Sequence, residues 1–139
     1  MDLWVRRLQA GDLALLQKLD IGSDAEAFLS LEQGEGPRVE DWGLWVGTTL
    51  VGWCRIAGRP PVLWVSRILI DAPYRGLGYG RMLLEKVLSE VSRTRRWQEV
   101  RAAVHPKNER ALQFFMSRGF EPLPYVQEVG EVILRKKLR

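Results

Sequence analysis

The densest run of chemistry-bearing residues is Ile68-Leu69-Ile70-Asp71-Ala72-Pro73-Tyr74-Arg75-Gly76-Leu77-Gly78-Tyr79-Gly80-Arg81. An apolar stretch leads into three alternate glycines, and these lead into a segment with helical periodicity. Glycine admits close backbone approach and conformations that other residues resist. A helix start presents amides with no intrahelical acceptor and the positive end of the helix dipole. With Arg75 and Arg81 on either side, the segment reads as a cradle for a phosphate or pyrophosphate. Two common phosphate loops are excluded by spacing. The third glycine of a dinucleotide fingerprint would fall on Arg81, and the lysine and hydroxyl of a nucleotide triphosphatase loop are missing. Glycines that serve only a strand-to-helix turn would leave the flanking arginines unexplained.

The single cysteine, Cys54, excludes an internal disulfide framework and a zinc site built from paired cysteines; no metal is expected. It lies in the apolar run Leu50-Val51-Gly52-Trp53-Cys54, which predicts a buried thiol rather than a nucleophile. A chain without disulfides suits a reducing cytoplasm. There is no apolar signal core, and no stretch approaches the roughly 18–20 apolar residues that span a bilayer. A soluble cytoplasmic protein with no membrane partner is therefore expected, as a monomer or a homodimer.

The elements that must position the loop follow from length and periodicity. The chain has 139 residues, 46% hydrophobic and 27% charged, which predicts one domain over 1–139 and excludes a disordered chain, a collagen-like fibre or a multi-domain assembly. Leu3 to Leu8 reads as a strand, followed by a helix from about Asp12, its cap, to Leu19 with Leu13, Leu15 and Leu16 on its apolar stripe. Ser23-Asp24-Ala25-Glu26 has capping-box spacing for a second helix carrying Phe28 and Leu31 and stopping before Gly34. Trp42 to Val46 and Leu50 to Ala57 read as strands around a tight turn at Gly47-Thr48-Thr49, with Trp42, Trp45 and Trp53, like Trp64 beyond them, in the core. Val62 to Ile70, nearly all apolar, reads as a strand buried on both faces. A helix from about Gly78 to Arg93 carries Leu83, Leu84, Val87, Leu88 and Val91 on one side. Val100 to Val104, a helix over Asn108 to Arg118, and a strand over Val129 to Leu138 complete the pass. Strands on each side of the long helix require a crossover, so part of the sheet is parallel. The fold class is α/β (mixed α+β), with a central mixed sheet flanked by helices.

Arg75-Gly76-Leu77-Gly78-Tyr79-Gly80 resembles the Arg/Gln-x-x-Gly-x-Gly/Ala signature of the GNAT superfamily of acyl-CoA-dependent N-acetyltransferases. Val5-Arg6 through Gly11-Asp12 is similar to that family's opening strand and first helix. Asn108-x-x-Ala111-x-x-Phe114-Phe115-x-x-x-Gly119-Phe120 resembles its second conserved block, and Val132 through Leu138 its closing strand. The resemblance implies acetyl-CoA as cosubstrate and transfer of its acetyl group to a primary amine by direct attack in a ternary complex. Backbone groups of Ile68, Leu69 and Ile70 would pair with the pantetheine arm, and the amides from Gly76 to Arg81 would bind the pyrophosphate. The strands around Ile70 and Val104 would splay, with the thioester in the gap. Asn108 would touch the far end of the arm, although an asparagine before Glu109-Arg110-Ala111 is also a natural helix cap.

The chain departs from the family where protons move. A tyrosine commonly protonates the leaving sulfur at the position held here by Phe115, which cannot donate; water or the substrate ammonium would serve, since a thiolate is an undemanding leaving group. Proline also comes one position later than usual, in Ala72-Pro73. The glutamate that some relatives use as base falls in Ala102-Ala103-Val104. His105, the only histidine, is the weak candidate for relay, set against a surface histidine in a His-Pro turn; water held by Asp71, Glu40 or Asp41 is an equal alternative. Residues 1–50 carry nine acids and four bases, and residues 51–139 eight acids and seventeen bases. The acids Asp20, Asp24, Glu26, Glu32, Glu35, Glu40 and Asp41 would wall the acceptor side and favour a cationic small molecule or a peptide or protein amine. The basic set Arg93, Arg95, Arg96, Arg101 and Lys107 would attract the 3′-phosphate of CoA. A non-catalytic acyl-CoA-binding sensor is the alternative; nucleic-acid binding lacks a reading element.

Overall fold

The computed structural model describes residues 2–19, 38–123 and 130–138. Strands β1 (Leu3–Arg7), β2 (Arg38–Val46), β3 (Thr49–Arg59), β4 (Val62–Ile70), β5 (Glu99–Val104), β6 (Glu121–Pro122) and β7 (Val132–Lys137) form one mixed sheet. Its spatial order is β1-β2-β3-β4-β5-β7-β6. Helix α1 (Tyr79–Ser92) connects β4 to β5, which are parallel, and α2 (Glu109–Ser117) follows β5. The sheet is mixed and partly parallel, as the crossover argument requires.

The five apolar residues spaced along α1 are its buried ones: Leu83, Leu84, Val87, Leu88 and Val91. They pack with Trp42, Leu44, Cys54, Ile56 and Ile68 in the main core. Gly52 makes that approach feasible, since a Cβ there would lie 2.8 Å from Ile70 Cδ1 and 3.3 Å from Leu83 Cδ2. A second cluster joins Trp45, Leu50, Trp53 and Leu69 to Leu15, Leu16 and Leu19. Trp42, Trp45 and Trp53 are buried, and Trp64 is half-buried.

Several boundaries differ from the sequence reading. The first helix is a 3-10 helix over Ala10–Lys18, and Asp12 is not its cap. The Arg6 guanidinium takes the Asp12 carboxylate at 2.7 and 3.2 Å, and Gln9 N–H donates to the same group at 2.9 Å. These bonds hold the carboxyl down to about 2. Leu13 faces solvent. Strand β2 begins at Arg38 rather than Trp42 because its polar start is paired: Asp41 lies opposite Arg55 and is bonded to it. Strand β6 was not anticipated, since two residues are too few for a period. The helix expected over Ser23 to Leu31 and residue Val129 lie outside the described residues.

The expected splay is visible in the ladder. Strands β4 and β5 pair only as Val62↔Glu99, Leu63↔Val100 and Trp64↔Arg101. Beyond Trp64, β4 stays with β3 while β5 stays with β7 through Val104. At the divergence β4 carries a bulge. Arg67 faces Arg55 and Val65 faces Ile56, so Ser66 has no partner in register, and its hydroxyl donates to Arg55 O at 3.3 Å. Bulges bend a strand and raise its twist, which here turns the end of β4 away from β5. Among the described residues no helix is long and apolar enough to cross a membrane.

Candidate functional site

A cleft of about 600 Å³ opens between the end of β4, the loop after it and the starts of α1 and α2. The sequence-predicted residues Ile68, Leu69, Ile70, Arg75, Gly76, Gly78, Tyr79, Gly80, Arg81 and Asn108 all line it. Tyr74, Arg110, Ala111 and Phe114 also line it and were not singled out from sequence. Leu77 and Phe115 do not line it.

Among the described residues, no strand pairs with β4 beyond Trp64 on the side facing β5. Asp71 N–H donates to Val51 O across β3 at 2.8 Å. Alternation along an antiparallel pair then aims the Leu69 backbone at β3 and the Ile68 and Ile70 backbones into the gap. Of the three residues expected to pair with an extended ligand arm, two therefore have the right orientation. Arg75 Nε donates to Ile70 O at 3.0 Å. That bond fastens the glycine loop to the strand end, so Arg75 positions the cradle besides adding charge to it.

At the helix start, Gly76 and Gly78 have φ of 77° and 84°, the left-handed region that side chains resist. A Cβ on either would meet nothing within 4 Å. The requirement for glycine is conformational, and the space above the turn is open to a ligand. Gly78 is the N-cap of α1 and contributes no side-chain cap. The first bond of the helix is Met82 N–H to Gly78 O at 3.1 Å, so the amides of Gly80 and Arg81 precede any intrahelical acceptor. Gly80 has a different role: its missing Cβ would touch Phe114 at 3.5 Å and Ile70 at 3.6 Å, which brings the helix start against both other walls. Arg81 shares Glu85 with Arg118, at 3.1 and 3.0 Å. Its charge is thus partly answered. An uncapped, glycine-opened helix start beside an unpaired strand edge fits a pyrophosphate joined to an extended amide-bearing arm.

On α2, Asn108 caps its own helix, Oδ1 accepting from Ala111 N–H at 3.1 Å while the residue also lines the cleft. The expectation for Phe115 is corrected. Its ring is 1% exposed and packs edge-on against Phe114 and Phe120 at centroid distances of 5.3 and 5.1 Å. Ala111 and Phe115, four apart, are the buried residues of α2, and Phe114 is the ring that lines the cleft. The i,i+4 spacing of these two apolar residues was the available signal.

His105 has the placement of the surface histidine set against the relay role. It is exposed in the turn after β5, outside the cleft lining, with Nδ1 accepting from Lys107 N–H at 3.1 Å. Glu40 accepts from Trp42 Nε1 at 3.2 Å and lies 3.7 Å from Arg7; Asp41 is bonded to Trp53 and Arg55. Neither lines the cleft, nor does Asp71. The phenols that do are Tyr74 and Tyr79, with ring centroids 6.2 Å apart. Cys54 is fully buried, and burial, with Asp41 nearby, pushes its thiol up and away from reactivity. Of the basic set, Arg93 pairs with Glu90 and Arg101 with Glu99. Among the described residues no group of His, Cys, Asp or Glu has metal-site geometry.

A sequence profile described as the acetyltransferase (GNAT) family matches residues 12–120. No curated protein matches by sequence. Among solved structures, the PaiA N-acetyltransferase of Thermoplasma acidophilum in complex with coenzyme A aligns with a TM-score of 0.79 at 16% identity, over 99% of each chain. The ribosomal-protein-S18-alanine N-acetyltransferase of Escherichia coli aligns at 0.77 and 20% identity, over 99% of this chain and 94% of that one. The GNAT domain of S. lividans PAT aligns at 0.78 and 18% identity, over 96% and 89%. At these identities the likeness is one of fold.

Proposed function

The chain belongs to the acetyltransferase (GNAT) family, an acyltransferase family dependent on acetyl-CoA, and from that premise we propose that it moves the acetyl group to a primary amine by direct attack, acting as a single domain over 1–139. The observation that carries this reading is the cleft itself, where the uncapped start of α1 and the unpaired end of β4 meet. The amides ahead of Met82 receive the pyrophosphate. The gap-facing backbone of Ile68 and Ile70 continues the sheet into the pantetheine arm, which places the thioester where β4 and β5 part.

Three tasks remain for the chemistry. The amine must arrive neutral, the carbonyl oxygen needs a donor as charge builds on it, and the departing thiolate needs a proton. Ile70 N–H, facing the gap, is the donor; such a preorganised amide contributes on the order of 3–4 kcal/mol to the barrier. Holding both substrates in one cleft supplies much of the remainder through proximity. With Phe115 in the core and His105 on the surface, proton traffic runs through water, the substrate ammonium and the phenols of Tyr74 and Tyr79.

For the acceptor, five members of the acidic segment lie outside the described residues, and Glu40 and Asp41 already serve arginines and tryptophans. The acceptor panel therefore spans small amines and peptide amines; one fold neighbour is named for acetylating an alanine of a ribosomal protein. The test begins with thermal denaturation in millimolar acetyl-CoA. A ligand at about 100 times its Kd stabilises by roughly 2.7 kcal/mol. A clear upward shift followed by amine-dependent thiol release supports the proposal, and no shift overturns it.

A further inference from the structure

Resting on that transferase reading, we propose that the acceptor bears a carboxylate a few bonds from its amine, and that Arg67 holds this carboxylate. The β3–β4 register sets Arg55 opposite Arg67 and Trp53 opposite Leu69. Alternation places these four side chains on one face of the sheet, the face opposite the one α1 covers. Two guanidinium groups directly opposite each other repel, and Asp41 on β2 answers only one of them. Its Oδ1 accepts from Arg55 Nε and from Trp53 Nε1, both at 2.8 Å, and its Oδ2 accepts from Arg55 Nη2 at 3.2 Å.

Arg67 is left with the Trp53 ring, 5.4 Å from its guanidinium carbon, and no carboxylate partner among the described residues. Burial, and then Arg55, pull its guanidinium below the ordinary value, while Asp41 only partly offsets them. An anion brought to this place would offset both effects by favouring the charged guanidinium.

The place is beside the reacting end of the cleft. Leu69, two residues further along the same strand, lines the cleft and also belongs to the cluster around Trp53. Two residues of strand span roughly 6.6 Å, which an arginine side chain covers. The pyrophosphate cradle begins at Gly76, beyond the strand end, so the donor does not need this cation. A guanidinium lying on an indole keeps its edge N–H groups available as a planar fork, a match for a carboxylate. The acceptor chemistry that fits is an amino acid: the carboxylate on Arg67 and the amine directed toward the gap.

The experiment measures thiol release from acetyl-CoA with a set of free amino acids and with the corresponding amino-acid amides, which keep the amine and lose the charge. For the unmodified protein, kcat/KM for the best amino acid should exceed that of its amide by about 10- to 100-fold, the range of a charge-assisted hydrogen-bonded pair. Arg67→Gln should bring the ratio near one without altering stabilisation by acetyl-CoA, and Arg67→Lys should restore part of it. Equal use of acid and amide by the unmodified protein, or an unchanged ratio in Arg67→Gln, overturns the inference. Release from neither set, with acetyl-CoA still bound, also overturns it and leaves the donor site standing. Failure to bind acetyl-CoA overturns the transferase reading beneath it.

Discussion

Helix α1 begins at Gly78, which has no side chain to offer the amides above it, whereas α2 begins at Asn108, whose Oδ1 already accepts from Ala111 N–H at 3.1 Å. Both starts border the same cleft. The start of the 3-10 helix over Ala10–Lys18 is also answered internally, Asp12 accepting from Gln9 N–H at 2.9 Å. A helix N-terminus is an anion receptor only while its amides lack a protein partner. Among the described residues, the starts of α2 and of the 3-10 helix over Ala10–Lys18 are answered by side chains, whereas the start of α1 is left to glycine. The contrast separates a wall of the cleft from its proposed receptor.

The largest effect should come from removing the receptor. Gly78→Val forces a β-branched side chain into φ of 84°, at a cost of roughly 1–2 kcal/mol in stability, and should abolish the thermal shift caused by acetyl-CoA. If the milder Gly78→Ala variant folds and binds acetyl-CoA as tightly as the unmodified protein, the start of α1 is not the receptor. Asn108→Ala should cost about 1 kcal/mol of stability through the lost cap, read as a lower urea midpoint, with a smaller loss of acetyl-CoA affinity than Gly78→Ala. An affinity loss exceeding that of Gly78→Ala would invert the comparison and make Asn108 a principal ligand contact. The smallest effect is expected for Glu85→Gln. Freeing Arg81 and Arg118 from an exposed carboxylate should tighten acetyl-CoA binding by about 0.3–0.5 kcal/mol at low salt and less at high salt. Calorimetric titration at two ionic strengths checks it; weaker binding would mean that the Glu85 bond holds Arg81 in place for the ligand.

Much of this was legible residue by residue. Three alternate glycines ahead of an amphipathic period require a glycine-opened helix start wherever the segment lies, because the left-handed conformation and the missing cap are local properties. The apolar spacing of Leu83, Leu84, Val87, Leu88 and Val91 named the buried face of α1 for the same reason. The nearly all-apolar run Val62 to Ile70 matches β4 to the residue. Local reading places Asp12 one turn too early, at the N-cap, whereas Gln9 holds that position and Asp12 accepts from its N–H while also binding Arg6 at 2.7 Å. Motif position and helical phase disagree at Phe115, and the phase it shares with Ala111 buries it.

By itself, the sequence determined most of the elements and the glycine-opened start of α1, because periodicity, glycine and capping act within a few residues. Only the tertiary structure decided where β4 parts from β5, that Ser66 is bulged there, that Phe114 rather than Phe115 faces the cleft, and that Asp41 is shared by Arg55 and Trp53 but not Arg67. Each of these depends on registers and distances between segments far apart in the chain, where cross-strand packing decides which side chains meet.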